Sequence, residues 1–287
     1  WVEEGLVDIL IPAAGASTDA SINLTEFFEI VGSNDVAIYP GLDADERTRR
    51  PYWFSVLRGT TTIADSYDDP GPEGDYTKDQ MINRALASRY YQEGADGMYV
   101  YNWHADRSVR RELLTQIGSP DTLRRKNKIY AATHRYILDE GPWRGGFRND
   151  RLLGQVPVVL KRTLTDDGPT ITLDVTDDVV ADEATHMELR LRLYDWVKGD
   201  VVKVYWDDVE IDTFESYYNI SIDSYANPLQ AQVSDVGPYV WLRTELTENQ
   251  VLQGLHKAKL ILMERNPRIS GDIVLTDMEL SVSYTAG

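Results

Sequence analysis

The chain has 287 residues, 42% of them hydrophobic and 26% charged, the composition of a folded globular protein with room for two domains. Asp and Glu outnumber Lys and Arg by 47 to 29, giving a formal charge of -18 and a pI near 4.6, so the overall field has the wrong sign for nucleic acid or an anionic membrane surface. There is no cysteine, which excludes disulfides, thiolate metal sites and cysteine nucleophiles, and no stretch reaches the roughly 18 apolar residues of a membrane-spanning helix.

The amino end runs from Trp1 directly into Val2-Glu3-Glu4-Gly5-Leu6-Val7. It carries no Met and no basic-then-apolar leader, and it reads as the middle of a domain, so a longer parent protein is expected. Up to about Asp150, short apolar runs alternate with helical patterns, the order of β/α units around a parallel sheet. Three runs predict strands: Val7 to Ile11, Val36 to Tyr39, and Gly97 to Tyr101. Between the first two, Leu24, Phe27, Phe28 and Val31 recur at helical spacing ahead of Gly32. Between the second and third, Thr77 offers an N-cap, Met81, Ile82, Ala85, Leu86 and Tyr90 share one helical face, and Gly94 ends the run.

Gly41 to Tyr76 is a long connection rich in Asp, Arg, Pro and Gly, including Asp68-Asp69-Pro70-Gly71-Pro72. Loops of that length in compact domains usually serve a function. Helical stretches around Arg110 to Ile117 and Pro120 to Lys128 come next, then a linker at Gly141-Pro142-Trp143-Arg144-Gly145-Gly146. From Val156 onward the period becomes two: Thr170 to Val175, Met187 to Leu193, Val202 to Trp206, Lys257 to Met263 and Asp277 to Tyr284 each alternate apolar and polar residues. Many short half-buried strands predict an all-β sandwich.

Two segments, Gly94-Ala95-Asp96-Gly97-Met98-Tyr99-Val100-Tyr101-Asn102-Trp103 and Ile117-Gly118-Ser119-Pro120-Asp121-Thr122-Leu123, resemble bacterial proteins described as family 10 glycoside hydrolase-like. Leu173 to Val179 and the ending Leu275 to Tyr284 are similar to that family's closing sandwich. The resemblance implies an α/β plus all-β chain: the C-terminal part of a (β/α)8 barrel over residues 1–150, then a β-sandwich accessory domain over 151–287. It further implies a missing N-terminal barrel half, or a second chain, to complete the barrel. A polysaccharide or oligosaccharide partner and a secreted or periplasmic location go with it, and no cofactor.

Glycoside hydrolysis uses two carboxylates, roughly 5 to 5.5 Å apart for retention and roughly 6.5 to 9.5 Å for inversion. In a barrel, the loops after the strands line the active face. Asp43 and Asp45, after the strand ending at Tyr39, are therefore the candidate catalytic pair, set against the plainer reading of a solvated acidic loop that also holds Glu46 and Arg47. Tyr39, Asn102, Trp103 and His104 are candidate substrate contacts: an amide bonds sugar hydroxyls both ways, an indole offers a flat face, and an imidazole exchanges a proton near neutrality. The alternative is a structural cap with a core Trp. Trp53, beside Tyr52 and near Arg49, Arg50 and Arg58, is a candidate platform for a sulfated or carboxylated sugar or else packs its own loop. No Glu follows Tyr101, where many retaining barrel hydrolases hold their nucleophile, which keeps a non-catalytic glycan binder in view.

No metal site is expected. His104, His134, His186 and His256 are widely separated, and neither Asp177-Asp178 nor Asp207-Asp208 has the loop pattern of a calcium site. No Gly-x-Ser-x-Gly elbow occurs. Asn23-Leu24-Thr25 and Asn219-Ile220-Ser221 match the glycosylation acceptor pattern.

Overall fold

The computed structural model describes residues 1–13, 22–43, 74–101, 108–133, 155–161, 167–197, 199–217 and 239–285. The amino-terminal part opens with two strand-helix-strand units. In the first, β1 (Ile9–Leu10) and β2 (Ala37–Ile38) flank α1 (Leu24–Val31); in the second, β3 (Gly41–Asp43) and β4 (Tyr99–Tyr101) flank α2 (Gly74–Gln92). Both pairs are parallel. Backbone bonds from Tyr39 N to Leu10 O, Gly41 N to Pro12 O and Tyr99 N to Pro40 O join them into one small parallel group. Asn23 caps α1 by accepting from Thr25 N at 3.2 Å, as an N-cap side chain does. Leu24, Val31, Ile38, Leu42, Leu86 and Tyr90 form the core of this part, extended by Leu113, Ile117 and Leu123 from the region of α3 (Ser108–Leu114) and α4 (Pro120–Leu123).

The rest is an antiparallel sandwich. A four-stranded sheet runs β10 (Val209–Glu210), β9 (Val201–Trp206), β13 (Gly254–Glu264), β7 (Thr170–Val175). A six-stranded sheet runs β11 (Glu215–Tyr217), β12 (Tyr239–Leu246), β8 (His186–Tyr194), β14 (Ile273–Ser283), β5 (Lys128–Ala131), with β6 (Val158–Leu160) also on β14. Side chains on a strand alternate between faces, and here the inward set from the two sheets interdigitates: Ile171, Leu173, Val204, Trp206, Ala258 and Leu260 against Leu189, Leu191, Leu193, Leu242, Leu275 and Leu280. Asp207 and Asp208, at φ 46° and 65°, make the two-residue turn of the β9–β10 hairpin, with the left-handed backbone that matches strand twist. Gly168 passes so close to β13 that a Cβ would sit 1.9 Å from Leu260 O, which only glycine avoids.

The expectation of a half barrel is overturned. Of fourteen described strands, the ten from β5 to β14 belong to the sandwich, and the parallel strands are two or three residues long. The reason lies in the path of the chain beyond β4. Two short helices lead into β5, which pairs antiparallel with β14, Tyr130 opposite Leu280, rather than extending a parallel sheet. The alternation of strand and helix before residue 101 is real, but it builds a short parallel annex. The expectation of an amino half or a second chain rested on completing that barrel.

Helix α2 belongs to both parts. Asn83 to Ala87 are buried without a break, so the helix is covered around its girth rather than along one stripe. Ala85 joins the sandwich core while Leu86, Ala87 and Tyr90 join the annex core.

Candidate functional site

The strand pairing sets one sequence candidate, Asp43, beside the strand that leads into Asn102, Trp103 and His104. Asp43 closes β3 with Tyr101 as its partner across the ladder, Gly41 opposite Tyr99 and Leu42 opposite Val100. Because the strands are parallel, the segments holding Asp45 and Asn102-Trp103-His104 leave from the same end. In open parallel sheets, ligands bind beyond the carboxyl ends of the strands. Asp45, Trp53, Asn102, Trp103 and His104 themselves lie outside the described residues.

Local chemistry fixes the register of β3 and β4 from their amino ends, opposite the candidate site. Asp96 bonds Ile38 twice: its carboxylate accepts from Ile38 N at 2.8 Å, and its own N–H donates to Ile38 O at 3.0 Å. Tyr39 is half-buried, and its ring lies against Gly97 so closely that a Cβ there would stand 3.1 Å from Cζ. Tyr39 thereby packs the start of β4 beneath the candidate site.

Sequence reasoning missed a buried ionic cluster where α4, β5 and the segment after β7 meet. Lys128 is 1% exposed, and its ammonium donates to Leu123 O and to Asp177 Oδ1, each at 2.8 Å, and to Lys126 O at 3.3 Å. All three donors are used, which makes Lys128 an internal cation that also caps the carboxyl end of α4. Tyr130 hydroxyl lies 3.0 Å from Thr176 Oγ1 and accepts from Asp177 N at 3.1 Å. Burial pulls the Lys128 ammonium below the ordinary lysine range, opposed by the Asp177 carboxylate. Burial also pushes the Tyr130 phenol well up, and the Tyr284 phenol up, with Asp177 adding to both. The signal lay in the alternation of Lys128-Ile129-Tyr130-Ala131, which puts Lys128 on the same face as Tyr130 once the segment is a strand rather than a helix end. No solvent reaches Lys128, so its chemistry is structural.

The sheets carry different polar faces outward. On the six-stranded sheet, Arg190 bonds Glu188, and Arg192 reaches Asp277 at 3.5 Å with its guanidinium 5.8 Å from the Trp241 ring. On the four-stranded sheet, Tyr205 stands opposite Lys259 and Glu210, and Lys203 pairs with Glu210 at 2.7 Å. At one end of the sandwich, Arg265 ties Asp195, Asp200 and Gly271 O together beneath a shallow cavity of about 210 Å³ lined by Asn266, Ser270 and Asp272. His256 stacks on Trp206 with ring centroids 4.9 Å apart, and its Nδ1 lies 2.6 Å from Asp207 Oδ2. Among the described residues, no three His, Asp or Glu side chains are grouped to hold a metal ion, and no helix is long and apolar enough to cross a membrane.

No protein-family model matches the chain, and no curated protein matches it. Among solved structures, it is similar to a β-porphyranase of glycoside hydrolase family 86 from the human gut bacterium Bacteroides plebeius, with 9% identity and a TM-score of 0.31 over 56% of this chain. The chain spans 21% of that enzyme's length. A family 35 carbohydrate binding module from an environmental isolate matches at 12% identity and a TM-score of 0.22, over 41% of this chain and 67% of that one. A two-domain esterase active on acetylated mannans matches at 12% identity and 0.26, over 99% of this chain and 74% of that one.

Proposed function

We propose that the chain is a carbohydrate-directed protein that takes a polysaccharide or oligosaccharide at the shared carboxyl end of β3 and β4. The observation that carries this reading is the parallel register of Asp43 with Tyr101. It sends the acidic segment with Asp45 and the segment Asn102-Trp103-His104 out from neighbouring strand ends, a pairing of carboxylate, amide, indole and imidazole suited to sugar hydroxyls and ring faces. In the enzymatic form of the proposal, Asp43 and Asp45 supply the acid and base of glycosidic hydrolysis. The resemblance to family 10 glycoside hydrolase-like proteins is consistent with it, and a substrate of this kind implies a secreted or periplasmic location.

The second reading is a glycan binder without hydrolysis. It is favoured by the loss of the barrel, since nothing else set Asp43 and Asp45 at a catalytic spacing. One experiment separates the two. The chain is run in native gels cast with a panel of polysaccharides, and released reducing ends are measured in parallel. Hydrolysis that the Asp43→Asn/Asp45→Asn double variant abolishes supports the enzyme; retardation without sugar release supports the binder. A Trp103→Ala variant weakens either activity by about tenfold, as loss of a stacked ring does. Unchanged behaviour of both variants overturns the site, and fractionation of producing cells tests the location.

A further inference from the structure

The open face of the four-stranded sheet runs against the charge of the molecule. Lys203 and Tyr205 on β9, Lys257 and Lys259 on β13, Thr170, Thr172 and Asp174 on β7 and Glu210 on β10 all point to this face, because their strand neighbours Val204, Trp206, Ala258, Leu260, Ile171 and Leu173 point into the core. The register sets Glu210, Tyr205, Lys259 and Thr170 in one row across four strands, with Lys257 opposite Thr172 in the next. Glu210 is taken up by Lys203 at 2.7 Å and by the Tyr205 hydroxyl at 3.3 Å.

Lys257 and Lys259 form no ion pair among the described residues. With Lys203 they set three lysines against Asp174 and Glu210 on this face, a small local excess of positive charge in a chain with 47 carboxylates to 29 bases. Elsewhere Arg124, Arg125, Arg190, Arg192, Arg243 and Arg265 each sit on a carboxylate. Residues two apart on a strand are about 7 Å apart, so two ammonium groups without an ion pair among the described residues, a half-buried phenol ring and the Thr170 hydroxyl share a flat, extended surface, while the Thr172 hydroxyl donates to Gln155 Oε1 at 3.0 Å. The Ile261 end of the face is closed by the crossing segment at Gly168 and Pro169, whose carbonyl accepts from Leu260 N at 3.0 Å. At the Lys257 end the Asp207 carboxylate accepts from the Lys257 backbone N–H at 2.8 Å, and Leu255 is 61% exposed beside it.

We propose that this face is a second glycan-binding surface, for an acidic polysaccharide bearing carboxylate or sulfate groups, with Lys257 and Lys259 on the anions and the Tyr205 ring against a sugar face. Charge complementarity is the argument: an ammonium group holds a carboxylate or sulfate more strongly than a neutral hydroxyl, and a polyanion approaching an acidic protein is repelled where no lysines gather. The proposal deepens the carbohydrate-directed reading and rests on it, but it lies on residues separate from β3 and β4.

The test uses the full chain in native gels containing polygalacturonate, a neutral glucan, or polyglutamate. Polygalacturonate should retard the chain at low salt, and added salt should relieve the retardation. The Lys257→Gln/Lys259→Gln double variant should bind it about tenfold more weakly, two exposed ion pairs being lost, with mobility in the neutral glucan unchanged. Equal retardation of the variant and the parent overturns the proposal, and so does equal retardation by polyglutamate, which marks a general polyanion surface. Retardation by the neutral glucan alone overturns it while leaving the carbohydrate reading standing; no retardation by any glycan overturns both.

Discussion

The sandwich and the parallel annex are built from the same kinds of residue but hold themselves together differently. Strands β8, β13 and β14 run nine to eleven residues, long enough for each to bury four or five side chains against the facing sheet. Strands β1 to β4 run two or three, and the annex core draws as much on α1, α2 and the turn at Ile117 as on strands. A long antiparallel ladder stabilises itself through cross-strand pairs, whereas a short parallel one depends on the helices that cover it. Among the described residues, helix α2 and strand β5 tie the annex to the sandwich, with Arg124 and Arg125 pairing Asp182 and Glu183 beside them, and its independence is testable at α2 and β5.

The largest effect is expected at β5. Lys128→Ala leaves Asp177 buried without its cation and should cost about 4 kcal/mol in a urea titration, whereas Lys128→Met/Asp177→Leu, which removes both charges, should cost far less. A single variant no less stable than the double would mean the cluster is not a buried ion pair. Next come the cores. Leu189→Ala in the sandwich and Leu42→Ala in the annex, both fully buried, should each cost about 3 kcal/mol. If α2 couples the parts, both variants shift one common transition seen by near-ultraviolet dichroism; two separate transitions would show that the annex unfolds by itself.

The smallest effect concerns alkali. Tyr130 and Tyr284 have raised folded-state values against an ordinary 10.0, so above that value the unfolded chain loses protons the native chain keeps. Stability therefore falls as pH rises past about 10, by about 1.4 kcal/mol per pH unit per tyrosine. Lys128 has the opposite sign. Its folded value is lowered from 10.5, so the cost of keeping it charged is relieved as pH climbs toward that value. Tyr130→Phe should flatten the alkaline fall, and an unaltered slope would place the titration elsewhere.

The sandwich strands were legible because antiparallel strands with one buried face write their geometry into the chain as alternation. Thr170–Val175 is a strand over the very residues that alternate, and the run from Met187 to Leu193 needs one residue more at each end. β14 was harder to read in its first half. Ile273 to Val282 are buried throughout, with a register shift between Leu275 and Asp277 that breaks the period of two. The segment Lys128 to Ala131 begins where a helical stretch from Pro120 was expected to end and holds a lysine, and nothing nearby in sequence revealed that Asp177, 49 residues on, would neutralise it.

The sequence by itself determined which residues face inward on the long strands, the helix at Leu24 to Val31, the acidic charge of the whole and the chemistry available after Tyr39 and Tyr101. Each is a property of neighbours along the chain: period, capping, composition. Tertiary structure alone decided that the parallel units stop as an annex, that β5 crosses into the sandwich, that α2 serves two cores and that Asp43 and Tyr101 share a register. Those outcomes depend on contacts between distant segments, where burial of a face or pairing of a charge outweighs the local pattern that either segment shows alone.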